Sequence, residues 1–515
     1  MISRKVTLAV AAAALAGLSA GVNAGELSAD QIARLDGELT PLGAVRAGNQ
    51  VRISGEVVRA RGNQLTLRKD DGGREVVSIT PEMTVSVAGR DVAMQDLQPG
   101  QKIRIYRGSI PDWEGGIKSA AEAGVPDFRS GGHHPNPFPD DDPQYRITAA
   151  NMAQHEAVLS EGHKALLQTY PDYFLNVYRT RRTAAFPERI YDATKRVAAT
   201  ARLVEGGNGV TGATEGIPFP VPADGSEAIW NHLLRFRGDM VRRSIGQAPV
   251  TRDGSFTMVM FQDEYLGQYG LAGITEDELD NVIVFFKQTV MAPARLAGEV
   301  LLVHETLNQA KENRRAWLYN PGQRRVRRAP NVAFDNPRTA SDGLATSDQL
   351  DMFNGSPERY NWELVGRKEI LIPYNSYQLH SDELNYADII KPLHINQDLA
   401  RYELHRVWVV DATLKEGTRH LYKRRTFYID EDSWQVMLVD CYDNRDQLWR
   451  VQEGHSINYY DVPTFWTTLE LTVDLQSGRY LAIGLNNEER STYDFNVQYR
   501  PADFGPSSLR RSGIR

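Results

Sequence analysis

From residue 256 onward, apolar positions recur at every second residue in short runs separated by turn residues. Residues 256–261, 282–289, 298–305, 315–319, 324–329 and 360–372 read as strands on this pattern, as do 402–411, 419–430, 435–442, 448–454, 467–474 and 479–485. Period two is the signature of a strand with one face buried. The hairpin-sized gaps predict antiparallel neighbours and one large sheet curled into a half-barrel. Ahead of it the period changes. Met152, Ala157, Leu159, His163 and Leu166-Leu167 form a stripe that predicts a helix over 151–170, ended by Tyr170-Pro171. Ser226 then caps a predicted helix carrying Ile229, Trp230, Leu233, Leu234 and Phe236, which stops near Gly238. The fold class is α+β.

Nearer the N-terminus, five short alternating runs stand apart: 51–58, 64–68, 74–79, 83–87 and 102–106. Arg61-Gly62-Asn63 and Asp70-Asp71-Gly72-Gly73 are the turns between the first three. The pattern predicts a small all-β unit, an OB-like or SH3-like barrel. A barrel that binds oligonucleotides needs stacking aromatics and excess positive charge. Residues 51–105 hold no Phe, Trp or Tyr, and their charges nearly cancel, so nucleic acid is excluded.

The stretch 316–336, AWLYNPGQRRVRRAPNVAFDN, organises the reading of the chain. Trp317 and Tyr319 lie on an incoming strand, and Asn320-Pro321-Gly322-Gln323 predicts a type II turn with its positive φ at Gly322. Arg324, Arg325, Arg327 and Arg328 surround Val326 on the outgoing strand, and Ala329-Pro330 ends it. The sequence WLYNPGQRRVRRAP resembles the signature of the domain-of-unknown-function 1329 family. TPLGAVRAGN, GSIPDWEGGI, GIPFPVP, IWNHLLRFRG, SDQLDMFNGSPERYNWELVGRKE, IPYNSY and RTFYIDEDSWQ are similar to it as well. That resemblance implies an exported bacterial protein with a sheet like those of the lipoprotein carriers LolA and LolB. It also implies a neighbourhood of resistance-nodulation-division exporters. The chain departs from the family pattern between Gly48-Asn49 and Gly108-Ser109, where about sixty residues are inserted. The organisation read from this is a signal peptide (1–24), an N-terminal segment of the main domain (25–49), the inserted barrel (50–107) and the LolA/LolB-like main domain (108–515).

Composition narrows this further. The chain has 515 residues, 41% hydrophobic and 24% charged, with a net charge of −7, so no global charge pulls it to nucleic acid or anionic membranes. One cysteine, Cys441, excludes an internal disulfide and a cysteine-based zinc cluster. Arg4 and Lys5, an apolar run from Val6 to Leu18 and small residues ending at Ala24 predict an export signal cleaved after Ala24 and a periplasmic location. No later segment approaches a membrane-spanning run, so stable membrane insertion is not expected.

Chemistry is sparse. There is no nucleophile elbow, P-loop or H-E-x-x-H. The literal G-x-G-x-x-G at 207–212 leads into Ile217-Pro218-Phe219-Pro220-Val221-Pro222, which cannot open the helix that a dinucleotide site needs. His133, His134 and Asp140 to Asp142 have ligand chemistry but no fixed spacing, and read as a solvated loop. No catalytic residue, metal or cofactor is assigned. The expectation is a non-catalytic periplasmic carrier of a lipid or other hydrophobic molecule, working with an inner-membrane exporter. Trp317, Tyr319, Trp408, Phe427 and Trp434 are the candidate cavity, and Arg324, Arg325, Arg327 and Arg328 the candidate docking face. The alternatives are a structural adaptor of an envelope complex without a ligand, and a hydrolase whose site is scattered along the chain.

Overall fold

Ser28 opens the first helix, α1 (Ala29–Ala33), through a capping box in which Gln31 returns a hydrogen bond to the cap. A computed structural model describes residues 26–512 except 50, 70–71, 80–82, 88–89, 108, 330–331 and 333. The export signal at 1–24, Asp70-Asp71 and Pro330 therefore lie outside the described residues.

A small sheet near the N-terminus consists of β1 (Val51–Arg61), β2 (Gln64–Arg68), β3 (Arg74–Ser78), β4 (Met83–Val87), β5 (Arg90–Asp91) and β6 (Lys102–Arg107), in the order β3-β2-β1-β6-β4-β5. Pairing is antiparallel throughout. Val57, Leu65, Leu67, Ile103 and Ile105 close a core of its own. The stem is tied shut: Asn49 N–H donates to Ile110 O (3.0 Å), Ile110 N–H to Asn49 Oδ1 (2.8 Å) and Gly48 N–H to Asp112 Oδ1 (2.7 Å). Deleting residues 50–107 leaves Gly108 and Ser109 between Asn49 and Ile110, which is the spacing of a β-turn. The shortened chain is expected to unfold cooperatively in urea with the main domain's circular dichroism intact. Loss of all folded protein would show instead that the main core depends on the insert.

The main sheet holds β7 (Tyr145–Ile147), β8 (Leu175–Tyr178) and, after a two-stranded pair β9 (Arg202–Leu203) and β10 (Val210–Thr211), the strands β11 (Met240–Val250), β12 (Val259–Leu266), β13 (Val282–Ala292), β14 (Val300–Thr306), β15 (Arg315–Asn320) and β16 (Arg325–Arg328). It continues with β17 (Tyr360–Pro373), β18 (Tyr402–Leu414), β19 (Arg424–Asp430), β20 (Val436–Tyr442), β21 (Leu448–Tyr459), β22 (Thr464–Asp474), β23 (Arg479–Leu485) and β24 (Tyr493–Asp494). One path runs β16-β15-β14-β13-β12-β11-β23-β22-β21-β20-β19-β18-β8-β7, with β17 beside β18 and β24 beside β11. Among the described residues, only β8 with β18 is parallel. The large antiparallel sheet and the α+β class read from the alternation are both present.

Several local expectations are corrected. The helix predicted over 151–170 is two single 3₁₀ turns followed by α2 (Glu161–Thr169), because Ser160 takes the cap by accepting from His163 N–H (3.0 Å). The helix α3 (Glu188–Val197) had no expectation attached to it. The next helix, α4 (Gly225–Leu234), is capped by Asp224, not Ser226, since the Asp224 carboxylate accepts from Glu227 N–H (2.9 Å). Strand β11 escaped the pattern because Arg243 interrupts its apolar face. Arg243 is nevertheless buried there, paired with Asp263 at 2.8 Å. Near the C-terminus, Phe504 and Leu509 are buried against Phe285, Leu302 and Tyr319.

The hairpin turn also differs. Gly322 does not have a positive φ; the left-handed residue is Arg324, at φ 52°. Asn320 pairs with Arg325, so four residues make the loop, and Asn320 Oδ1 closes it by accepting from Gln323 N–H (3.1 Å). A non-glycine residue in that region costs on the order of 1 kcal/mol. Arg324→Gly is therefore expected to be neutral or stabilising by up to about 1 kcal/mol. Gly322→Ala should change stability by less than about 0.5 kcal/mol. Urea midpoints in the reverse order would overturn this placement of the strained residue.

Candidate functional site

The alternation that builds β13, β14 and β15 sends one set of side chains to each face. On one face Phe285, His304, Trp317 and Tyr319 pack beneath the C-terminal segment, with Phe285 and Phe504 rings 5.7 Å apart and His304 and Trp317 rings 4.9 Å apart. On the other face, Phe286 and Gln288 of β13 pair in register with Val303 and Leu301 of β14, and Leu301 with Leu318 of β15. These side chains line a cavity of about 240 Å³, closed on its far side by Val332, Pro337, Arg338, Thr339 and Leu350 of the segment 329–355. A smaller cavity of about 50 Å³ shares Phe286, Glu305, Leu350 and Asn354 with it. It reaches inward to Ile283, Val284, Tyr265, Trp466 and the α4 residues Trp230 and Leu233. Ile283 and Val284 both reach this cavity because the β13–β14 register shifts between Val282 and Val284.

The covering segment is pinned at two points. Asp351 and Met352 adopt φ of 56° and 66°. The Asp351 carboxylate accepts from Arg235 Nη2 (2.6 and 2.7 Å), Arg237 Nε (2.6 Å) and Trp466 Nε1 (3.0 Å). Burial pushes the Asp351 carboxyl up, but Arg235 and Arg237 outweigh it and hold it well below the usual carboxylate range. His232 lies behind them. Burial, reinforced by Arg235, lowers its pKa to about 3. The neutral ring faces the Asp351 and Phe353 carbonyls through Nε2 (3.1 and 3.0 Å) and accepts from Val436 N–H at Nδ1 (3.1 Å). The second pin is Glu305, which pairs with Arg314 at 2.7 Å and accepts from Asn354 Nδ2 at 3.0 Å.

The five aromatics singled out from the sequence lie elsewhere, and none is among the residues lining these two cavities. Trp317 and Tyr319 face the C-terminal segment. Trp408 and Trp434 stack on each other with ring centres 6.1 Å apart; Trp434 sits in a turn at φ 60° and donates to Leu42 O (3.0 Å). Phe427 packs on Phe353 and Trp362. Phe286 is the aromatic side chain that lines both cavities. The signal that marks this site is the paired alternation Val284-Phe286-Gln288 and Leu301-Val303-Glu305, apolar first and then polar. Arg324, Arg325, Arg327 and Arg328 are all exposed, and among the described residues none of them forms a salt bridge. Arg328 lies over the Trp317 ring at 5.7 Å.

A larger opening, about 550 Å³, lies between His133, Asp141, Tyr178, Ser381 and Arg401, but its walls are mostly polar. Asp141, a carboxylate weighed as a metal ligand, is taken by Arg181 and Arg401 at 2.6 and 2.9 Å, and His134 by Asp461 at 2.8 Å. His405, Asp430 and Asp432 each bring one ligand atom within 4.8 Å of the others. Arg182 binds both oxygens of Asp432 (2.6 and 2.8 Å), and Ser433 donates to Asp430 (2.6 Å), so this cluster is built as a buried ion-pair network. No helix among the described residues is long and apolar enough to cross a membrane.

Residues 146–510 match the family model described as protein of unknown function, DUF1329. An uncharacterized protein of Pseudomonas aeruginosa is 52% identical over 409 residues, covering 79% of this chain and 89% of its own. Among solved structures, a putative outer membrane lipoprotein-sorting protein domain from Vibrio parahaemolyticus is 14% identical, with a TM-score of 0.38, over 55% of this chain and 97% of that one. A DUF1329 protein from Desulfovibrio piger gives 14% and 0.37 over 55% and 95%. A LolA superfamily protein from Nitrosomonas europaea gives 12% and 0.32 over 53% and 93%.

Proposed function

The chain belongs to the DUF1329 family, and from that premise we propose that it is a non-catalytic carrier of a lipid or other hydrophobic molecule in the periplasm. The observation that carries this reading is the apolar cavity between the β13–β15 face and the segment 329–355. At about 240 Å³ it exceeds the ~150 Å³ that suffices to hold benzene in an apolar protein interior. Its walls combine an apolar surface, from Phe286, Leu301, Val303 and Leu318 among others, with a comparable number of polar side chains, so it can receive an apolar body that carries a polar group. Three carboxylates that could have served catalysis are engaged in ion pairs: Asp141 as above, Glu431 with Arg406 and Asp432 with Arg182. This supports carriage over hydrolysis. The export signal read at 1–24 supports the location. The family resemblance adds hand-over to or from an inner-membrane exporter.

The test is titration of the purified protein with a fluorescent fatty-acid probe. Saturable binding in the micromolar range, roughly −8 kcal/mol, is expected. No saturable signal from the folded protein would overturn the carrier. A second reading, an adaptor without a ligand, is favoured by the exposed arginines of β16, the end strand of the sheet. Native mass spectrometry showing a bound protein and no lipid would select it.

A further inference from the structure

Among the described residues, the guanidinium groups that line the two cavities are paired with carboxylates, except that of Arg338. Arg314 has Glu305 (2.7 Å), Arg237 has Asp351 (2.6 Å) and Arg243 has Asp263 (2.8 Å). Arg338, on the covering segment, lines the larger cavity, and its Nη1 is shut away from solvent without a hydrogen-bond partner. Burial lowers its pKa from the usual arginine range, Glu470 and Asp263 acting against this from a distance without a bond to it. A shielded, unpaired cation is destabilising unless something supplies the opposite charge. The wall there mixes apolar Leu301, Leu318 and Val332 with the neutral polar Gln288 and Thr339, and the carboxylate lining the cavity, Glu305, is already held by Arg314. Leu318 stands opposite Arg327 in register, so Arg327 projects on this same face of the hairpin and adds an unpaired positive charge nearby.

We propose that Arg338 is the head-group anchor of this cavity and that the cargo is an amphiphile with one acidic head, its apolar tail running along Leu301 and Phe286 toward Ile283 and Trp466. The proposal rests on the carrier reading and narrows it. Guanidinium is the side chain suited to this, because its planar fork pairs with two oxygens of a carboxylate or a phosphate. A neutral lipid can at most accept a hydrogen bond from Nη1 and supplies no opposite charge.

Displacement of an apolar fluorescent probe by palmitate and by hexadecanol, which have the same chain length, tests it on the full-length protein. The wild-type protein is expected to bind palmitate about tenfold or more tighter than the alcohol. Arg338→Gln should lower palmitate affinity to the level of hexadecanol while leaving hexadecanol unchanged, and Arg338→Lys should restore part of the difference. Lysophosphatidate distinguishes the head: a preference for it alone over hexadecanol makes the acid a phosphate and still supports the anchor. Equal affinity of hexadecanol, palmitate and lysophosphatidate in the wild-type protein overturns the anchor and leaves the carrier standing. That comparison needs no variant, so it holds even if Arg338→Gln fails to fold. Binding of neither overturns both. Equal weakening of acid and alcohol by Arg338→Gln also overturns the anchor, since it would make Arg338 merely a wall of the cavity.

Discussion

Asp351→Ala is expected to destabilise the protein by about 3–5 kcal/mol, the range for removing one partner of a buried ion pair. The carboxylate is shared by Arg235, whose side chain is fully buried, and Arg237, at 5% exposure. Its removal leaves two cations and the Trp466 N–H facing an empty space. It also frees a residue held at φ 56°, so the covering segment loses its inner pin. Urea denaturation measures the loss, and hydrogen exchange over 332–355 should rise more than over β20 and β21. The pH dependence has a definite sign. A carboxyl whose folded pKa lies below its unfolded value stabilises above the unfolded value, near pH 4, and the contribution fades as the pH falls toward the folded pKa. The difference between wild-type and Asp351→Ala should therefore be constant from pH 8 to about pH 5 and shrink below about pH 4. A cost under about 1 kcal/mol at neutral pH would show that the two arginines find other partners.

Leu301→Glu is expected to weaken probe binding by about 100-fold, equivalent to roughly 2.7 kcal/mol. Leu301 lies half-buried in the wall of the larger cavity, beside Gln288 on β13 and Leu318 on β15. Glutamate there must either protonate or bring a carboxylate into the path of the apolar ligand, and Glu305 on the same strand face adds repulsion. The half-exposed position lets the fold tolerate the change within about 1 kcal/mol, so thermal unfolding and circular dichroism separate lost binding from lost structure. Unchanged affinity in a folded Leu301→Glu protein would place the ligand outside this cavity and return attention to the polar opening near Arg401.

The strand pattern by itself determined the large sheet. Alternation and turn spacing from Val282 through Leu485 mark each strand locally, whatever its partners, although β19 to β23 are buried on both faces in the fold. The small sheet near the N-terminus was equally legible, because its short alternating runs and turns stand apart from the rest of the chain. Caps were less so: Ser226 and Asp224 both suit a helix start, and only the bond from Glu227 N–H to Asp224 chooses between them. The site was not legible from composition. Trp408 and Trp434 have the same chemistry as Trp230 and Trp466, but two of these pack on each other and two line a cavity. Which pair does so depends on what crosses over each face of the sheet. Over Trp317 and Tyr319 it is the C-terminal segment, tethered by Phe504 and Leu509. Over Phe286 and Leu301 it is the segment 329–355, held by Asp351 and Glu305 at its inner end, with Arg338 in the wall. Periodicity tells which side chains share a face. Whether that face is filled or hollow is set by contacts between residues that the chain keeps far apart, and only the tertiary structure decided it.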